Sequence, residues 1–80
     1  MIVKKKFMYD DIELRIVEVD VPYLNSGSTV KVTKVIAPNG GTIPLSIKWK
    51  QTLKSIAEHT IDTLNNFKSM GADVRKELLQ

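Results

Sequence analysis

From Gly40 to Met70 the chain reads GGTIPLSIKWKQTLKSIAEHTIDTLNNFKSM, and its hydrophobic period changes partway along. No other feature limits the fold so tightly. Ile43, Leu45, Ile47 and Trp49 alternate with Thr42, Pro44, Ser46 and Lys48, the period of two that marks a half-buried strand. From Trp49 onward the apolar residues recur at threes and fours: Leu53, Ile56, Ala57, Thr60, Ile61, Leu64 and Phe67. Lys50, Gln51, Lys54, Ser55, Glu58, Asp62, Asn65 and Asn66 form the opposite, polar face. Such a helix, expected over 49–70, has to lie on an apolar surface supplied by the residues before it. The expected core is Ile43, Leu45, Ile47, Trp49, Leu53, Ile56, Ile61 and Leu64, in contact with Ile12 and Leu14.

Those earlier residues read as strands. IVKKKFMY (2–9) is a first strand with no cleanly apolar face, as an edge strand guarded by lysines would be. Asp10-Asp11 is a two-residue turn. IELRIVEVDV (12–21) follows, apolar at Ile12, Leu14 and Ile16 and then out of phase at Val17, Val19 and Val21, so a bulge is expected near Ile16-Val17. Pro22 ends this strand, and Asn25, Ser26 and Gly27 supply turn chemistry. TVKVTKVIA (29–37) is the third strand, and Pro38-Asn39-Gly40-Gly41 turns the chain into the fourth. Gly71 stops the helix, after which Val74 and Leu78 suit a final short turn or helix over 72–79. The expected fold is α+β in a single domain, 1–80. A four-stranded curved antiparallel sheet (2–47) is covered on one face by one long amphipathic C-terminal helix.

Eighty residues build only a small core, and without cysteine no disulfide can reinforce it, so self-association is expected. Phe67, Met70, Val74 and Leu78 extend the apolar stripe past what a short sheet covers and are the expected dimer contacts. No apolar run approaches the roughly 20 residues of a membrane-spanning helix, and the N-terminus lacks a signal-peptide core. A cytoplasmic location is the default expectation.

Catalytic chemistry finds no footing. His59, the one histidine, reads as structural, because neighbouring Glu58 and Asp62 make no metal site by themselves. The serines sit in no nucleophile elbow, Asp10, Asp11 and Glu13 read as solvated acids, and Asn39-Gly40-Gly41 lacks the lysine and hydroxyl of a phosphate loop. Neither an enzyme nor a cofactor is expected. The basic residues carry more information. The net charge is +3, and Lys4, Lys5, Lys6, Arg15, Lys31, Lys34 and Lys48 are spread over all four expected strands. Outward positions include Arg15, Lys31 and Lys48. They read either as a band that tracks phosphates or as solvated positions interspersed with Glu13, Glu18 and Asp20. Tyr9 is the first candidate for a base-stacking platform, and Tyr23 the second.

The segment GGTIPLSIKWKQTLKSI resembles the closing part of the positive-cofactor-four-like transcriptional coactivators, which bind single-stranded DNA and have phage and bacterial members. In that family a glycine leads into an Ile-x-Leu strand, then a Trp-containing helix start and a long amphipathic helix. Gly41, Ile43, Leu45, Trp49, Leu53 and Ile56 fill comparable places, with the tryptophan one residue early. The resemblance implies a homodimer formed through the helices, whose curved sheets present basic and aromatic residues to single strands. Lys4, Lys6, Tyr9 and Arg15 are carried over by their position on the sheet. Two functions from different classes are therefore expected. One is non-catalytic binding of single-stranded nucleic acid, as in a transcription or replication accessory protein. The other is a small protein-binding module or inhibitor, of the kind carried by phages and mobile elements, that uses a strand edge or the helix.

Overall fold

The computed structural model describes residues 1–25 and 27–80; Ser26, counted above among the turn residues, lies outside the described residues. The chain forms β1 (Ile2–Tyr9), β2 (Ile12–Pro22), β3 (Thr29–Ile36), α1 (Leu53–Ser69) and α2 (Val74–Leu79). The fold is α+β, with an open antiparallel sheet in the order β1-β2-β3. Asp10-Asp11 makes the first turn, between the paired residues Tyr9 and Ile12. Asp10 there takes a positive φ of 53°, which aspartate tolerates better than most residues.

Alternation assigns the two faces of the sheet. Tyr9, Ile12, Leu14, Ile16 and Val35 share the inner face and form one cluster with Ile56, Ala57 and Leu64 of α1. Thr60, also buried on α1, donates its hydroxyl to the Ile56 carbonyl at 2.7 Å, so no polar atom is stranded there. Beyond Ile16 the apolar set of β2 moves to the outer face. The expected bulge is present in the sheet but not on β2, which pairs with β3 without a slip. The extra residue is Lys4 on β1, where the register shifts between Val3 and Lys5, opposite Val17 and Ile16. The change of phase in β2 thus records the move of its apolar residues from the inner face to the outer one at Ile16-Val17.

Residues 42–48 do not form the expected fourth strand. One bridge joins Thr42 to Ile36, and the Ile43 N–H donates to the Val35 carbonyl at 2.9 Å. Pro44 then has no N–H to offer, and the segment continues extended without a ladder. Its alternation still holds for burial: Ile43 is buried and Leu45 and Ile47 half-buried, while Pro44, Ser46 and Lys48 are exposed.

The helix also starts later than expected, at Leu53 rather than Trp49. Thr52 is the N-cap, its hydroxyl accepting from the Ser55 N–H at 3.1 Å, which satisfies one of the orphan donors of the first turn. Two core assignments change with it: Trp49 is 88% exposed and Leu53 is 38% exposed. Thr52→Ala is expected to cost about 0.5–2 kcal/mol in thermal or urea unfolding. An unchanged unfolding midpoint would mean that the cap does not hold the helix start.

At its other end α1 closes in a Schellman motif. The Ala72 N–H donates to the Phe67 carbonyl at 3.0 Å and the Gly71 N–H to the Lys68 carbonyl at 3.1 Å, with Gly71 at φ 93°. This turn folds α2 back onto the end of the sheet. Asp73 caps it, and Asn39 fastens it to the turn after β3 by donating its side-chain amide to the Glu77 carbonyl at 2.8 Å. Arg75 makes a two-pronged ion pair with Asp11, Nη2 to Oδ2 being 3.1 Å, and these hydrogen bonds hold the Asp11 carboxyl below its ordinary pKa. Val74 and Leu78 are therefore spent on the molecule's own core and are not dimer contacts. Phe67 is half-buried against the same cluster. Of the four expected interface residues only Met70, 74% exposed, stands free of it.

Candidate nucleic-acid interface

The expected basic band does not assemble as one surface. β2 pairing places Lys31 opposite Asp20, on the inner side of the sheet, where its amine lies 3.6 Å from Glu18. Lys4, the bulge residue, reaches the same carboxylate at 3.9 Å. Glu18 thus draws two of the six expected contacts to the wrong face. Lys6 and Arg15 do share the outer face, directly opposite one another, and Lys34 joins them beside Val17. The result is a short basic row across all three strands, from which Glu13, 3.8 Å from Lys6, subtracts part of the charge. Lys48 lies off the sheet altogether, in the segment before α1.

Tyr9 cannot be a stacking platform. It is buried at the end of β1, and its hydroxyl donates to Asn65 Oδ1 of α1 at 3.0 Å, so both ring and polar tip are committed to the core. Tyr23 is exposed in the β2–β3 connection. His59, expected to be structural, is exposed on α1.

The aromatic side chain most open to solvent is Trp49, and the backbone around it explains why. The Gln51 N–H donates to the Lys48 carbonyl at 3.1 Å, closing a β-turn with Trp49 and Lys50 at its two corners. The Gln51 side chain closes the loop a second time, accepting from the Lys48 N–H at 3.0 Å, and its amide donates to Ser55 Oγ at 3.0 Å on the first turn of the helix. Lys50 takes φ 62°, a conformation costly for a lysine and one such a doubly tied turn can impose. Its amine stands 4.5 Å from the centre of the indole ring, within cation–π range.

An indole is thus displayed on a pinned turn, with a lysine on either side in sequence. The turn borders an open groove of about 510 Å³ whose other residues, on α1, include Ser55, Glu58, His59 and Asp62. The two acids repel a polyanion from the helix side of that groove, so phosphates would be held at the lysine edge. A flat π-face next to fixed positive charge is suited to stacking on a base while neutralising its phosphate. Among the described residues no group of three or more acidic, histidine or cysteine side chains could hold a metal ion. Among the described residues, no helix is long and apolar enough to cross a membrane.

The sequence reading missed this turn because it ran the helical period back to Trp49. Two signals were available: Thr52 as an N-cap, which puts the helix start after it, and the Lys-Trp-Lys order itself. Comparisons of the chain with protein-family models, with curated proteins and with solved structures find no match.

Proposed function

We propose that this protein binds single-stranded nucleic acid without catalysis, stacking a base on Trp49 and holding phosphates at Lys48 and Lys50. The observation that carries this reading is the pinned, almost fully exposed indole between two lysines. The outer row of Lys6, Arg15 and Lys34 is a second place for phosphate contacts. Relative to the sequence expectation the bases move from the sheet to the turn, because Tyr9 is buried. The likeness to positive-cofactor-four-like coactivators belongs to this proposal and rests on the sequence segment alone, since the fourth strand does not form and Trp49 precedes the helix; a cytoplasmic location and a transcription or replication setting belong to it as well.

Trp49 is the chain's one tryptophan, so its fluorescence reports on the site directly. Titration with an oligothymidine of about ten nucleotides at roughly 50 mM salt, where the counterion contribution is strong, is expected to quench the emission saturably. The quench should reverse as salt is added. Duplex DNA should quench less, since its bases are not free to stack. A flat titration with DNA and RNA oligomers alike would overturn the proposal. The protein-binding reading would then stand in its place, favoured by the valines on the outer face of the sheet.

A further inference from the structure

The groove beside the Trp49 turn is lined by opposite charges. The turn contributes Lys48, Trp49 and Lys50, and α1 contributes Ser55, Glu58, His59 and Asp62. Ser55, Glu58 and Asp62 recur at three and four residues, so they form one row along the helix. That row is about 10 Å long, counting seven residues at 1.5 Å each. It begins at the turn itself, because the Gln51 amide donates to Ser55 Oγ at 3.0 Å. Among the described residues neither the Glu58 nor the Asp62 carboxylate makes an ion pair, although Lys54 stands one turn before Glu58. Two like charges at i, i+4 weaken a helix slightly. The fold therefore gains nothing from these acids, and both are exposed to the groove.

We propose that the groove selects guanine as the base stacked on Trp49, with the Glu58 and Asp62 carboxylates reading its Watson–Crick edge. This preference presupposes that Trp49 is the stacking site. Stacking alone does not discriminate, since every base has a π-face. The edge of the base does. A carboxylate only accepts hydrogen bonds, and its two oxygens match two adjacent N–H donors. Guanine presents such a pair at N1 and the N2 amine, and no other common base does. Cytosine and adenine set one amine beside a bare ring nitrogen, whose lone pair opposes the carboxylate. Thymine and uracil flank their one N–H with two carbonyl oxygens.

The same charges orient the nucleotide. The lysines hold its phosphate at the turn, and the acids repel that phosphate, so the base edge rather than the backbone faces α1. At about 510 Å³ the groove lies within the size range of small-molecule sites and has room for a purine. A bidentate base contact discriminates by roughly fivefold or more. Water competes in an open groove, so the lower end of that range is expected.

Three decanucleotides titrated against the whole chain at roughly 50 mM sodium chloride test the preference, with Trp49 fluorescence as the readout. They are oligothymidine, an alternating thymine–guanine strand, and the same strand with hypoxanthine, which lacks the N2 amine, in place of guanine. Half the positions of the second strand carry the preferred base, so it should bind about threefold tighter than oligothymidine. The hypoxanthine strand should lose most of that gain. The double variant Glu58→Gln, Asp62→Asn should bind oligothymidine more tightly, because two negative charges leave the groove. Its ratio between the guanine strand and oligothymidine should fall toward one. Equal wild-type affinity for the first two strands would overturn the preference and leave Trp49 as a stacking site. A ratio that survives in the double variant would also overturn it. If none of the three strands binds, the stacking site and the preference fall together.

Discussion

Leu14→Ala is expected to destabilise the protein by about 2–5 kcal/mol, the range for deleting a buried leucine side chain. Leu14 lies near the start of β2, the middle strand of the sheet, with no exposed surface, paired to Phe7 of β1 and in the cluster that also holds Ile16, Val35, Ile56 and Leu64. The cavity left behind is fenced by the sheet backbone on one side and by α1 on the other, so little can collapse into it. For a domain of this size the loss corresponds to roughly 10–30 °C in the thermal midpoint. It is a large share of the 5–15 kcal/mol or so that such domains possess. Trp49→Ala is the contrasting control. Although tryptophan is the largest apolar side chain, this one is 88% exposed and should change the midpoint by no more than a surface substitution does, within about 0.5 kcal/mol. Thermal melts followed by circular dichroism read both variants. A Leu14→Ala melt that overlays the wild type, or a Trp49→Ala protein that fails to fold, would mean that the core has been misassigned.

The second large effect is expected in binding. If Trp49 stacks on a base, its removal costs about 1–3 kcal/mol, which is roughly 5- to 150-fold in affinity for a single strand. Trp49→Phe, which keeps a smaller π-face, should recover part of that loss, whereas a merely structural role would give no such order. The lysines separate by salt dependence. Lys48→Gln and Lys50→Gln should each reduce the log–log salt slope by up to about 0.7, one phosphate's worth on a single strand. Arg15→Gln tests the sheet row in the same way. Fluorescence anisotropy of a labelled oligonucleotide at several salt concentrations measures all of these together. Equal affinity of Trp49→Ala and wild type would remove the stacking proposal even if the protein still bound through charge.

Local chemistry was legible where one rule acted alone. Gly71 ends the helix because the αL position of a Schellman turn favours glycine, and Asp10-Asp11 turns because the two flanking strands leave it two residues. Alternation across Ile43, Leu45 and Ile47 correctly marked their sides as inward, although it was read as a strand. Burial alternation and backbone pairing are separate properties. Pro44 interrupts the second without disturbing the first.

The candidate site was less legible. Lys31 and Arg15 look equivalent in a strand-by-strand reading, and only the pairing of Asp20 with Lys31 and of Arg15 with Ile36 puts them on opposite faces. Tyr9 and Trp49 exchanged roles for a similar reason. A tyrosine near a strand end can face either way, and here Asn65, fifty-six residues later, takes its hydroxyl. A tryptophan four residues before Leu53 fits the helical stripe as well as any core residue does. The cap at Thr52 stops the helix short of it.

By itself the sequence determined an α+β chain of strands followed by an amphipathic helix, with one strand more than forms, and with it the inward set Ile12, Leu14, Ile16, Ile56 and Leu64. These follow from periodicity, which local backbone geometry translates directly into faces. Only the tertiary structure decided which faces meet. It spent Val74 and Leu78 on the core, withdrew Lys4 and Lys31 to Glu18, and left Trp49 exposed. Those outcomes depend on register between distant strands and on where a helix begins over a sheet, and a shift of one residue in either reverses a side chain's face.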